Sequence, residues 1–87
     1  MAFTGDKGRV MKSSLQGDSI PGGAFLGYIR WIGASSGDDL VISSSDDDIF
    51  TSKADADNFI DVHPLFQQVR DLTLTTLDGG TVYLYFL

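Results

Sequence analysis

Apolar residues recur at every second position over several short stretches of this chain. In Val82 to Leu87, VYLYFL, the alternation puts Val82, Leu84 and Phe86 on one side of a strand and Tyr83, Tyr85 and Leu87 on the other. Upstream, QVRDLTLTTL turns Leu72 and Leu74 inward and Asp71, Thr73 and Thr75 outward. LVIS pairs Leu40 with Ile42 on one face, and IFTSKA alternates Ile49, Thr51 and Lys53 with Phe50, Ser52 and Ala54. AFLGYIRWIG is the strongest strand signal, being rich in aromatic and β-branched residues and stopped by Gly33. Strict alternation there places Phe25, Ile29 and Trp31 on one face and Leu26, Tyr28, Arg30 and Ile32 on the other.

Turn chemistry separates these runs. ASSGDD and SSDDD are loops, and Asp78-Gly79-Gly80 is the strongest hairpin signal. DADNFIDVHPLF admits two readings. In one, Asp57 or Asn58 caps a single helical turn that His63-Pro64 ends. In the other, it is a loop with Phe59, Ile60 and Phe66 as plugs. Before Gly23 little is apolar: a short strand over about residues 9–15, then SIPGG as turn or linker. About six strands, with turns roughly every eight to twelve residues, define an all-β fold. The expected architecture is a small antiparallel β-sandwich or barrel over residues 24–87, with an extended N-terminal arm over 1–23.

Composition sharpens this picture. All twelve acids are aspartate, and ten glycines outnumber five alanines, which favours turns and caps over helix interiors. The 87 residues make one modest domain, and with no cysteine neither a disulfide nor a thiolate zinc site can supplement its core. No stretch approaches the ~18 apolar residues of a membrane span, so no membrane partner is expected. Met1 to Val10 interrupts any signal-like apolar run with Gly5, Asp6 and Gly8.

Charge is uneven along the chain. Lys7, Arg9 and Lys12 hold half of the six basic residues, while the net charge is −6. An acidic body of this kind argues against nucleic acid, which needs clustered lysine and arginine. The basic segment fits either an arm that reaches a neighbouring copy or a solvated tail.

Little catalytic chemistry is on offer, and no enzyme is expected. His63 is the sole histidine, and no Gly-x-Ser-x-Gly elbow accompanies the serines. The paired aspartates Asp38/Asp39 and Asp46–Asp48 fall in loops, where acids are commonplace. SSSDDD and the Asp55, Asp57, Asn58, Asp61 set supply hard oxygen ligands of the kind calcium takes. They lack the glycine and closing glutamate of an EF-hand loop, and solvated turns are the preferred reading, so no cofactor or metal is expected.

Three segments carry a family likeness: YIRWIGASSGDDLVI, the hairpin into IFTSKADADNF, and VRDLTLTTLDGGTVYLYF. Residues 27–87 resemble a family of small virion structural proteins of tailed bacteriophages, in which an Asp-containing hairpin precedes a strand with a large aromatic. Phe50 stands at that place here. The resemblance implies a capsid decoration or cement protein on the virion surface, with the major capsid protein or other virion proteins as partners. It brings no catalytic motif.

The terminal strand bears on the same point. With both faces of VYLYFL largely apolar, either both are buried within the domain or one meets another chain. The tyrosines suit an interface rim, having an apolar ring and a wet hydroxyl. The expected partner-contacting residues are therefore Lys7, Arg9, Lys12, Trp31, Tyr83, Tyr85 and Leu87, in a homo-oligomer that docks on other protein. The alternative is a tail- or fibre-associated module that uses Trp31 or the tyrosines against host glycan.

Overall fold

The computed structural model describes residues 4–5, 10–45 and 47–87. The described residues form strands and turns only: β1 (Thr4–Gly5), β2 (Val10–Ser13), β3 (Ser19–Ala34), β4 (Asp39–Ser44), β5 (Asp47–Lys53), β6 (Phe59–Leu77) and β7 (Thr81–Phe86). They make one antiparallel sheet in the order β1-β2-β7-β3-β6-β4-β5. The all-β antiparallel expectation holds, with a single sheet bent over itself to enclose one core.

The bend follows from strand length. At ~3.3 Å per residue, the 16 residues of β3 and the 19 of β6 would run about 53 and 63 Å if straight. The longest dimension of the molecule is 33 Å. Both strands must therefore turn, and the register slips where they do: between Ile20 and Gly23, Leu26 and Tyr28, and Ile32 and Ala34. Phe66 and Asp71 on β6 adopt positive φ, a conformation that breaks the pleat locally. The ends of β3 and β6 thereby belong to different halves of the sheet. Residues 28–34 of β3 lie between β7 and residues 59–64 of β6, while residues 72–77 of β6 run beside β4, which in turn pairs with β5.

Ile29, Trp31, Val82 and Leu84 from the first half and Leu40, Ile42, Phe50, Leu72 and Leu74 from the second share one cluster. The alternation expected for β4, β6 and β7 is realised. On β3 it fails at one point. Leu26 is buried and Phe25 exposed, because the bulge at Gly27 shifts the side-chain phase before Ile29 and Trp31 turn inward.

Three local expectations change. From Val10 onward the segment expected as an arm belongs to the sheet: β2 pairs with β7, and SIPGG lies inside β3. Residues 59–66 form neither a helical turn nor a loop but the first part of β6, where Ile60 and Phe66 are exposed rather than plugging the core. The Asp78-Gly79-Gly80 turn does not make a hairpin. It joins β6 to β7, which lie on opposite sides of β3 and do not pair with each other, so the link crosses the end of β3.

The 14–18 turn ties the halves together. Leu74 N–H donates to Asp18 O (2.9 Å) and Gly17 N–H to Leu74 O (2.8 Å), while Leu77 N–H donates to Gln16 Oε1 (3.0 Å). Asp18 is buried, and its carboxylate accepts the Ser13 hydroxyl from β2. Removing one partner of a buried hydrogen bond costs about 1–3 kcal/mol. Asp18→Ala is thus expected to lower the urea unfolding free energy by that amount, and Asp18→Asn, which keeps an acceptor, by less. Equal losses for the two variants would show that the Ser13 contact contributes nothing.

Candidate protein-binding face

Residues paired across an antiparallel sheet share a face, so the register alone assembles the outer surface of the first half. One row runs Lys12, Tyr83, Arg30, Val62, and the next runs Val10, Tyr85, Tyr28, Pro64. A third holds Thr81, Ile32 and Ile60. Tyr28 and Tyr85 stack with ring centroids 4.3 Å apart and planes 13° from parallel. Ser14 and Thr81 close one corner through their hydroxyls at 2.8 Å. Leu87 extends the face over Gly27, where an added Cβ would lie 3.0 Å from Leu87 Cγ.

Most of these side chains are apolar or aromatic, and several face solvent: Ile60 is 60%, Val62 54% and Leu87 72% exposed. The rows carry two cations, Lys12 and Arg30, and no carboxylate. On a chain with twelve aspartates, a sheet face without one is the unusual surface. With strands ~4.8 Å apart and same-face rows ~6.7 Å apart, four strands by three rows cover roughly 400 Å². That area falls within the range of the largest apolar patches on monomers, which are often functional.

The outer surface of the second half is different in kind. Its register rows bring together Asp39 with Lys53, Val41 with Thr51 and Thr76, and Ser43 with Asp48 and Thr73. Lys53 Nζ lies 3.3 Å from Asp39 Oδ1. This is an ordinary polar sheet face, with Ser43 itself buried and its hydroxyl bonded to Asp48 and Thr75. The end formed by the β3–β4, β5–β6 and β6–β7 connections is acidic, and its carboxylates cap backbone donors. Asp38 accepts Ser35 N–H (2.8 Å), Asp57 accepts Ser36 N–H (3.1 Å) and Asp78 accepts Asp39 N–H (2.9 Å). These aspartates have a structural task, and among the described residues no group of three acids or histidines lies close enough to hold a metal ion. The His63 ring leans on Phe50 at 4.9 Å between centroids.

The residues expected at an interface thus separate. Lys12, Tyr83, Tyr85 and Leu87 lie on the one face. Trp31 does not: it is fully buried, donates its indole N–H to Gly79 O (2.9 Å) and meets Phe59 edge to face. The phase set by the Gly27 bulge turns its side inward, so its ring is unavailable to a partner. Lys7 and Arg9 lie outside the described residues. Val10, Tyr28, Arg30, Ile32, Ile60, Val62 and Pro64 join the face without having been expected there. Tyr28, Arg30 and Ile32 were legible as one strand side. What the sequence could not show was that this side faces out, a matter decided by the bulge.

The fold and this face define an all-β domain with one polar and one apolar, cationic sheet surface. Comparisons with family models, curated proteins and solved structures find no significant match.

Proposed function

We propose that this chain is a virion structural protein of a tailed bacteriophage, a capsid decoration or cement protein that acts by binding rather than by catalysis. It docks through the Tyr28–Tyr85 face onto the major capsid protein. The observation that carries this reading is the largely apolar sheet face, whose described rows hold no aspartate, on an otherwise acidic domain. Apolar side chains and tyrosine rings around an arginine in the middle row have the composition of protein interfaces. The family resemblance of residues 27–87 supplies the shell as the partner, and the exposed Arg30 calls for an acidic residue on it. At roughly 400 Å² the face is about half of a standard ~800 Å² contribution, so single contacts are weak. A shell that offers many equivalent sites makes such contacts sufficient, and a protein that binds only assembled shell stabilises that state by mass action.

The rival reading, a tail or fibre module that stacks on glycan, has to rely on the tyrosines, since Trp31 is buried. Shells stripped of this chain test both readings. Wild-type protein is expected to co-sediment with them, and Arg30→Glu to bind at least about tenfold more weakly, a change of ~1.4 kcal/mol, with its melting temperature unchanged because Arg30 is exposed. Failure of the wild type to co-sediment would end the shell reading. Retention on a host-glycan array would then favour the other.

A further inference from the structure

Residues 59–69 of β6 have β3 on one side and, among the described residues, no strand on the other. The seal begins only at Arg70, whose N–H and C=O both meet the Ser44 hydroxyl. An open edge offers unpaired backbone donors and acceptors to any extended chain, and natural sheets blunt such edges with lysine, proline or inward-pointing charge. Here the edge carries no lysine, and Ile60, Val62 and Phe66 stand more than half exposed along it. Two features restrict what can pair with it. Pro64 lacks an N–H, and Asp61 turns inward, half-buried, where its Oδ2 accepts Ser52 Oγ at 2.8 Å.

We infer that the edge of β6 over residues 59–65 pairs antiparallel with the same edge of a second copy, about a two-fold axis at Val62. The argument is one of register. An antiparallel pair over residues 59–65 that keeps outer side chains with outer ones can be centred on Ile60, Asp61, Val62, His63 or Pro64. Centring on Pro64 opposes two residues without an N–H and runs the pair into Phe66, where φ is positive. Centring on Asp61 sets two carboxylates directly opposite, which is destabilising. Centring on His63 opposes two imidazoles and leaves Asp61 facing Leu65. Centring on Ile60 runs the pair into the Asn58 turn, where φ is positive. Centring on Val62 opposes Val62 with Val62, Ile60 with Pro64, and Phe59 with Leu65. It also places each Asp61 opposite the second copy's His63, an acceptor against a ring N–H donor, twice by symmetry. In that register every outer pair is apolar and every charge has a complement. The exposed Ile60 and Val62 become the seam of a sheet continuous through both copies, and the two Tyr28–Tyr85 faces lie side by side.

The choice of a second copy as the occupant follows the homo-oligomer expected from the sequence, and the inference does not depend on the shell reading. Its test needs no shell. The chain contains no cysteine, so single cysteines report the register cleanly. Directly opposed residues have Cβ atoms ~5 Å apart, near disulfide reach, whereas Ile60 and its symmetry mate would be about 13 Å apart. Under mild oxidant Val62→Cys is expected to form a disulfide-linked dimer and Ile60→Cys to form no disulfide. Sedimentation equilibrium of the unmodified chain should give twice the monomer mass at high concentration, and Val62→Lys should return it to one. Cross-linking through Ile60→Cys with none through Val62→Cys would overturn the register. A monomeric wild type that yields no cross-link at either site would overturn self-pairing altogether. Arg30→Glu separates the two proposals: it is expected to lose shell binding while the dimer persists.

Discussion

Trp31→Ala is expected to cost about 3–5 kcal/mol of folding free energy, the largest loss of any single truncation in this chain. A domain of this size has only ~5–15 kcal/mol in total, so the variant should be partly unfolded at 25 °C or melt far below the wild type. Trp31 is the largest fully buried side chain. It sits in the last part of β3, opposed by Val82 on one side and Asp61 on the other, and Phe59 closes over its edge at 5.6 Å. No small residue can collapse around so large a void between two paired strands. Trp31→Phe narrows the contributions, since it keeps an aromatic ring in the core while it removes the indole N–H that serves Gly79 O and the ring atoms beside it. Its cost should be about 1–3 kcal/mol. Urea unfolding followed by far-ultraviolet circular dichroism measures both, because the substitutions delete the one tryptophan fluorophore. A Trp31→Ala penalty below about 1 kcal/mol would mean that this site is not core.

The same residue explains why the fold was more legible than the face. Alternation in VYLYFL, TLTTL and LVIS identified the inward residues of β7, β6 and β4, because a half-buried antiparallel strand must obey a period of two. β3 obeys it on either side of Gly27 but not across it. There an extra residue resets the phase, and Phe25, which the pattern groups with Trp31, goes to solvent. The one local signal is Gly27 itself, since a glycine inside a strand often marks a bulge, but its presence does not say which way the phase is reset. The Asp78-Gly79-Gly80 link misleads for a related reason. Turn chemistry reports the backbone angles the link needs, and those do not say whether the flanking strands pair with each other or with a third. Residues 59–66 failed differently. Asp57, Asn58 and Pro64 are strong local punctuation, yet pairing with β3 overrides it and extends the strand through the proline.

The same bend that misleads sequence reading gives the domain its two unlike surfaces. Had β3 and β6 run straight, they would have formed a flat sheet with one common outer face. Because they fold over, the Thr/Ser/Asp-rich rows of β4, β5 and the end of β6 lie outside one half, while tyrosine, isoleucine and valine lie outside the other. An 87-residue chain with a single core thereby keeps one polar side and leaves apolar side chains exposed on the other.

Gly80→Ala should be nearly as damaging as Trp31→Ala, and the reason lies in the link that crosses β3. Gly80 has φ +81°, and a Cβ there would meet Ile32 O at 2.7 Å, Trp31 Nε1 at 2.9 Å and Ala34 N at 3.0 Å. The backbone angle alone costs an L-residue about 1–2 kcal/mol. The contacts add to it, since Ile32 is paired on both sides, with Ile60 and with Thr81, and cannot withdraw. A total of about 3 kcal/mol or more is expected. Two neighbouring glycines serve as controls. Gly37 has φ +90° with open space around it, so Gly37→Ala should show the backbone term alone. A Cβ on Gly79 would run into the Asp38 carboxylate, the free end of a side chain that can swing away. Gly79→Ala should therefore cost about 1 kcal/mol, the cap that Asp38 gives to Ser35. Thermal unfolding of the three variants should rank Gly80→Ala as the most destabilised by a clear margin. If Gly80→Ala were no worse than Gly37→Ala, the link would not be pressed against β3, and the crossing that distinguishes this sheet from a simple hairpin would be wrong.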